Sequence, residues 1–185
     1  AAMNIGGTTI HSTFRLPFGP APDPAMQYGN RAELFRKVDL LIIDEISMVK
    51  ADILDAISLS LLRHRRNERP FGGVKVAVFG DLFQLAPVVE EDDDSILKQL
   101  GYKSNFFFEA KCFGGLKTQF FQLTRTFRQK DPEFARVLNN IRTGQKIVES
   151  LNYINERCLT TDDLDEVSLT LTTRTANAEQ RNINH

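Results

Sequence analysis

The feature that most constrains this chain is Val38-Asp39-Leu40-Leu41-Ile42-Ile43-Asp44-Glu45-Ile46-Ser47, an apolar run that stops at two adjacent carboxylates. A run this short and rich in branched residues fits a strand buried on both faces, as in a parallel sheet covered by helices. Open α/β sheets bind ligands just past the carboxyl ends of such strands. Alternation along a strand sends Asp44 and Glu45 to opposite sides, so they can do different work at one edge. Two readings are open at this point. In one, the aspartate holds Mg²⁺ through water while the glutamate polarises a water that attacks a nucleotide phosphate. In the other, Asp44 caps the next helix and Glu45 is simply solvated.

Composition sets the bounds within which other motifs must decide. A chain of 185 residues is one domain, or one domain plus part of another, and can bury a sizeable core. A hydrophobic fraction of 42% with 25% charged residues is that of a soluble globular protein. The formal net charge of −1 excludes a uniform basic field, so any nucleic-acid contact must be local. Cys112 and Cys158 are far apart and outside any CxxC pattern, which reads as two core thiols in a reducing compartment. No apolar run approaches the roughly 20 residues of a membrane span, and no charged-then-apolar leader opens the sequence. The expected setting is cytoplasmic, or nuclear or organellar in a eukaryote.

Taken in order, the chain opens with a helical turn closed by Gly6-Gly7, then a threonine-capped turn, Thr8 to Phe14, whose hydroxyls and His11 could meet phosphates or could be ordinary caps. A proline-rich surface loop follows from Leu16 to Pro24, whose exposed Phe18 reads as a packing anchor before a stacking residue. Residues 51–66 place Ile53, Leu54, Ile57, Leu61 and Leu62 on one helical face, and the helix ends in a basic cluster of Arg63, His64, Arg65, Arg66 and Arg69. That cluster is a solvated face or a phosphate contact. A second buried strand, residues 74–79, again ends in polar groups, Asp81 and Gln84, so two strands could present them to one crevice. Gln84 can donate and accept at once, which suits sensing a phosphate or orienting a water.

Glu90 to Asp94 reads as a solvated acidic loop, and most of the 14 phenylalanines, including Phe120 and Phe121, read as core. Asp131 as cap and Pro132 in the first turn start a helix that Gly144 ends, with Phe134, Val137, Leu138 and Ile141 as its buried stripe. Arg128 then lies on a turn just before that helix. Residues 147–157 form a further amphipathic helix, residues 167–171 a fresh strand, and a last helix follows Thr175.

Together these segments resemble the PIF-type branch of the RecD-like superfamily one DNA helicases, over nearly the whole chain. AAMNIGGTTIHSTF resembles motif Ia, LLIIDEISMV motif II, GDLFQLAPV motif III, and LTRTFRQKDPEFARVLNNIRTG motif IV with its helix; LTLTTRTANAEQRNIN is similar to the opening of the second motor domain. Ala86 stands where the family commonly has a second proline. The resemblance implies an α/β fold, a RecA-like, mostly parallel sheet of the P-loop NTPase type flanked by helices, and incomplete. It divides the chain into a first motor domain (1–122), motif IV with linking helices (123–164) and the start of a second motor domain (165–185). It implies ATP and Mg²⁺ as cofactors, with Asp44 as the metal carboxylate, Glu45 as catalytic base, Asp81 at the nucleotide, Gln84 as γ-phosphate sensor and Arg128 as arginine finger. Thr8, Thr9 and His11 would lie along single-stranded DNA, with forked or duplex DNA as the substrate of a monomer. No GxxxxGK[ST] occurs in the sequence, so the expectation is a piece of a helicase that is inactive alone. The alternative expectation is a non-catalytic nucleic-acid-binding module on the same scaffold.

Overall fold

The computed structural model describes residues 6–157 and 171–183, in two compact units that divide between Thr124 and Arg125. The helical turn expected over residues 1–5, the strand over 167–171 and Cys158 lie wholly or mainly outside the described residues.

In the first unit, α1 (Ile10–Phe14) and α2 (Gly29–Lys37) precede β1 (Leu40–Ile43), which pairs in parallel with β2 (Lys75–Val78) in the register Leu40 to Lys75 through Ile43 to Val78. Between them α3 (Ala51–Arg65) carries the chain back from the end of β1 to the start of β2, the crossover that parallel strands require. Its Ile53, Leu54, Ile57 and Leu61 are buried as their spacing predicts. Both strands are shorter than expected, and β1 is not buried on both faces. Alternation sends Leu41 and Ile43 into the core that α3 covers, while Leu40 and Ile42 remain about half exposed on a face that no described helix covers.

The proline-rich loop is built onto α3. Asp52 Oδ2 accepts from Ala21 N (2.7 Å), Arg63 donates to Asp23 (2.6 Å) and to Pro24 O (3.0 Å), and Gln27 N donates to His64 Nε2 (2.9 Å). Asp52 to His64 is about 18 Å along a helix axis, a length that the extended stretch from Ala21 to Gln27 can span at about 3.3 Å per residue. Because His64 Nε2 accepts, its Nδ1 carries the proton that goes to Ser60 O. The basic cluster is therefore largely structural: Arg65 donates to Gly72 O, Arg36 O and Val38 O, tying the end of α3 to the approach to β1.

Two expectations fail downstream. Glu90 to Asp94 is no loop, because α4 (Glu91–Gln99) takes four carboxylates into its first turn, where they complement the positive end of the helix. Phe120 and Phe121 are 88% and 80% exposed, because their stretch forms neither helix nor strand and lays the rings on no core.

Asp55, on the partly buried flank of α3, accepts from Tyr102 Oη (2.8 Å), Lys111 N (3.0 Å) and Cys112 N (2.8 Å), fastening residues 102–112 to the helix. Burial first, and then the hydrogen bond to Asp55, pushes both the Tyr102 phenol and the Cys112 thiol above their ordinary ranges. Asp55→Ala leaves these donors without their acceptor and is expected to destabilise the unit by about 2–4 kcal/mol in urea unfolding. Both groups stay protonated in the fold beyond the pH at which they ionise unfolded. Stability from them is complete below about pH 8.5 and declines as pH rises beyond it, which a pH series of the same unfolding curves measures.

The second unit holds α5 (Pro132–Thr143), α6 (Ile147–Asn155) and α7 (Thr175–Ile183). Asp131 Oδ1 accepts from Glu133 N and Phe134 N, and Gly144 closes α5 at φ 70°, the start and stop read from the sequence. Val137 is buried, Phe134 and Ile141 half-buried, and Leu138 42% exposed. Arg136 pairs with Glu149 across α5 and α6 at 3.5 Å.

Candidate functional site

β1 and β2 end side by side. Phe79 N donates to Ile43 O (2.9 Å) and Ile46 N to Phe79 O (2.8 Å), so the ladder continues past both strands and joins the two loops. Gly80 permits this: a Cβ there would meet Ile46 Cγ2 at 2.9 Å and Ile46 N at 3.0 Å. The structure thus brings Asp44 and Glu45 to the same sheet edge as Asp81 and Gln84. The glycine's role was not read from the sequence, although a Gly directly after a strand is the signal for close backbone approach.

The strand ends at Ile43, so alternation does not govern the two carboxylates. Glu45 instead takes a left-handed conformation (φ 53°, ψ 46°) and opens a 3-10 turn, Ile46–Met48. For a residue with a Cβ that conformation costs about 1–2 kcal/mol; Arg15, Ala21, Arg66, Phe71 and Lys146 also have positive φ. Nor does Asp44 cap α3: its Oδ1 accepts from Glu45 N (3.0 Å), and both side chains are exposed. The second loop is pinned by Asp81, whose Oδ1 accepts from Phe83 N (3.0 Å) and whose Oδ2 lies 3.4 Å from Gln84 Nε2. Gln84 itself is exposed. No group of three or more His, Cys, Asp or Glu that could hold a metal occurs among the described residues. A single carboxylate beside substrate phosphates is, however, the ordinary way Mg²⁺ is held.

Thr8, Thr9 and His11 lie at the start of α1. Thr9 Oγ1 caps the helix by accepting from Ser12 N (3.4 Å), and the Thr8 hydroxyl pairs with that of Thr13. The His11 ring makes no hydrogen bond among the described residues and stacks on Phe18, which is 93% exposed and no packing anchor. Arg128 belongs to the second unit, exposed on a bend ahead of Asp131, with no ion pair among the described residues.

Parallel strands joined through a helix, with acid-bearing loops meeting at one edge, mark an incomplete RecA-like α/β fold. Comparison with known proteins agrees. The Bacteroides Pif1 helicase in complex with ADP-AlF3 and ssDNA superposes with a TM-score of 0.89 at 40% identity, covering 99% of this chain and 44% of that one. Residues 1–151 match the family model described as PIF1-like helicase. The chain is 34% identical over 154 residues to the ATP-dependent DNA helicase RRM3 of Saccharomyces cerevisiae, covering 80% of this chain and 20% of the relative. It is 35% identical over 150 residues to the ATP-dependent DNA helicase PIF1 of Emericella nidulans, covering 78% and 19%. The chain belongs to the PIF1-like helicase family, and spans about a fifth of the length of these curated relatives.

Proposed function

We propose that this chain supplies part of the hydrolytic edge and part of the strand-contacting face of an ATP-dependent DNA helicase acting on single-stranded and forked DNA. The observation that carries the reading is the shared edge, where Asp44, Glu45, Asp81 and Gln84 are delivered by two adjacent parallel strands. The residues fit a magnesium nucleotide: Asp44 keeps one carboxylate oxygen without a partner among the described residues, and Glu45 keeps its whole carboxylate. A magnesium ion held there would supply charge neutralisation at the phosphates.

Asp44 would hold that ion, with Asp81 fixing the loop beside the phosphates. Glu45 would take the proton of the attacking water, and Gln84, able to donate and accept, would report the γ-phosphate. Arg128 would supply cationic stabilisation of the developing charge. Thr8, Thr9 and His11 would contact the strand, His11 with the freer polar atoms. The protein would act as a monomer in the cytoplasm, or in the nucleus or an organelle of a eukaryote. The 185 residues carry no GxxxxGK[ST], so hydrolysis needs a phosphate-cradling loop that this stretch does not contain.

The test is ATP hydrolysis by the full-length protein, with and without single-stranded DNA, beside the isolated 185-residue chain. Strand-stimulated turnover by the full-length protein alone supports the reading. DNA binding without turnover favours the binding-module alternative, and turnover by the isolated chain overturns the need for a further phosphate loop.

A further inference from the structure

The basic cluster at the end of α3 surrounds a cavity of 630 Å³, within the range of small-ligand pockets, about 300–1,000 Å³. Arg36, Arg63, Arg65 and Arg66 line it with Met26 and Asn67, and no carboxylate does. α2 and α3 both end here, so part of this charge answers two helix C-termini. Each such end carries about half a negative charge, and Asp23 neutralises one guanidinium through Arg63, which leaves an excess of about two positive charges. Two of the arginines are fixed in place. Arg63 Nη1 is held by Asp23 and Pro24 O, and Arg65 donates through Nε to Gly72 O and through Nη1 to Arg36 O and Val38 O. The Nη2 of each makes no hydrogen bond among the described residues. Arg36 and Arg66 are exposed, with no ion pair or side-chain hydrogen bond among those residues. Asn67 accepts from Arg69 N through Oδ1, which leaves its Nδ2 as a further donor.

Like charges gathered in a hollow repel one another and focus their field outward, which favours an anion among them. The arginine donors come in planar forks, which pair with carboxylates two bonds at a time. A nucleic-acid strand is the other polyanion to weigh, but it calls for cations spaced along an open track. Here they converge on one hollow. Asp23, paired with Arg63, and Glu68, next to Asn67 in the chain, are both exposed and would repel a continuing ladder of phosphates. An acidic side chain can enter without running onto them. Met26, 45% exposed at the same hollow, adds an adaptable apolar contact for a neighbouring side chain of a peptide. The place is also separate from hydrolysis. α3 has 15 residues, so the cavity lies about 22 Å along its axis from the start of the helix, which follows the edge that carries Asp44 and Glu45.

We propose that this cavity is a docking site for an acidic segment of a partner protein, its carboxylates gripped by Arg36 and Arg66 against the fixed guanidinium groups of Arg63 and Arg65. Neutralising both free arginines is expected to weaken such a segment at least about tenfold, the effect of losing one charge-assisted hydrogen bond. The site is independent of the nucleotide and strand contacts proposed above.

The experiment is equilibrium binding of the full-length protein, at fixed low salt, to a fluorescent peptide of mixed glutamate, aspartate and leucine. Its counterpart, with glutamine and asparagine in place of the acids, and a single-stranded oligonucleotide are measured beside it. Wild type should bind the acidic peptide and not the amide one. Arg36→Gln with Arg66→Gln should weaken the acidic peptide by the factor given and leave the oligonucleotide unaffected. Arg69→Gln removes a charge just outside the cavity and should change peptide affinity by no more than about twofold. Both cavity side chains are exposed, and coincident thermal melts establish that the double variant is folded. Failure of wild type to bind the acidic peptide, or equal binding by the double variant, overturns the proposal. An Arg69→Gln loss as large as that of the double variant also overturns it, because the attraction is then diffuse. A matching loss of oligonucleotide affinity in the double variant makes the cavity a nucleic-acid contact and excludes the peptide role.

Discussion

Glu45→Gln in the full-length protein is expected to lower DNA-stimulated ATP hydrolysis by roughly 10²- to 10⁴-fold, the usual loss when a general base is removed, while nucleotide binding is kept. Glutamine has the shape of glutamate but cannot take the proton from an attacking water. Glu45 makes no side-chain cap hydrogen bond and is exposed, so the substitution removes no packing, and its left-handed backbone is as strained for Gln as for Glu. Glu45→Gly should lose the same activity yet gain up to about 1 kcal/mol of stability, since glycine is relaxed at φ 53°. Steady-state hydrolysis beside fluorescent-nucleotide binding separates the two effects. A Glu45→Gln enzyme with near wild-type turnover would remove the glutamate from the mechanism.

Arg128→Ala should cost still more, roughly 10³- to 10⁵-fold in turnover, or about 4–7 kcal/mol of barrier. The side chain is exposed and has no ion pair among the described residues, so stability should change by no more than about 0.5 kcal/mol. Arg128→Lys should rescue little, because a point charge does not reproduce the planar fork of a guanidinium. Single-turnover hydrolysis with bound DNA, beside thermal melts of both variants, checks this. Full turnover by the alanine variant would exclude a finger role for Arg128.

What the sequence made legible follows the range of the forces involved. The limits of α5 could be read because Asp131, Pro132 and Gly144 act on their own backbone neighbours. The meeting of Asp44 with Asp81 could be read because each follows a short branched run, and strands of that kind pair in parallel with their polar ends together. Glu45 escaped because its left-handed turn is set by the loop packing against Gly80, which alternation along a strand cannot foresee. The acidic run of α4 suggests a loop by its charge, whereas the positive end of the helix is what favours those carboxylates there. Phe120 and Phe121 show the opposite failure: their type suggests burial, but burial depends on what the tertiary structure offers to cover them.

The central claim is that this edge belongs to a motor that opens DNA. Its most direct test is strand displacement by the full-length protein on a fork with both a 5′ and a 3′ single-stranded tail, with and without ATP. Release of the labelled strand that requires ATP and is abolished by Glu45→Gln is the predicted result. A protein that binds the fork but releases no strand with ATP present would contradict it.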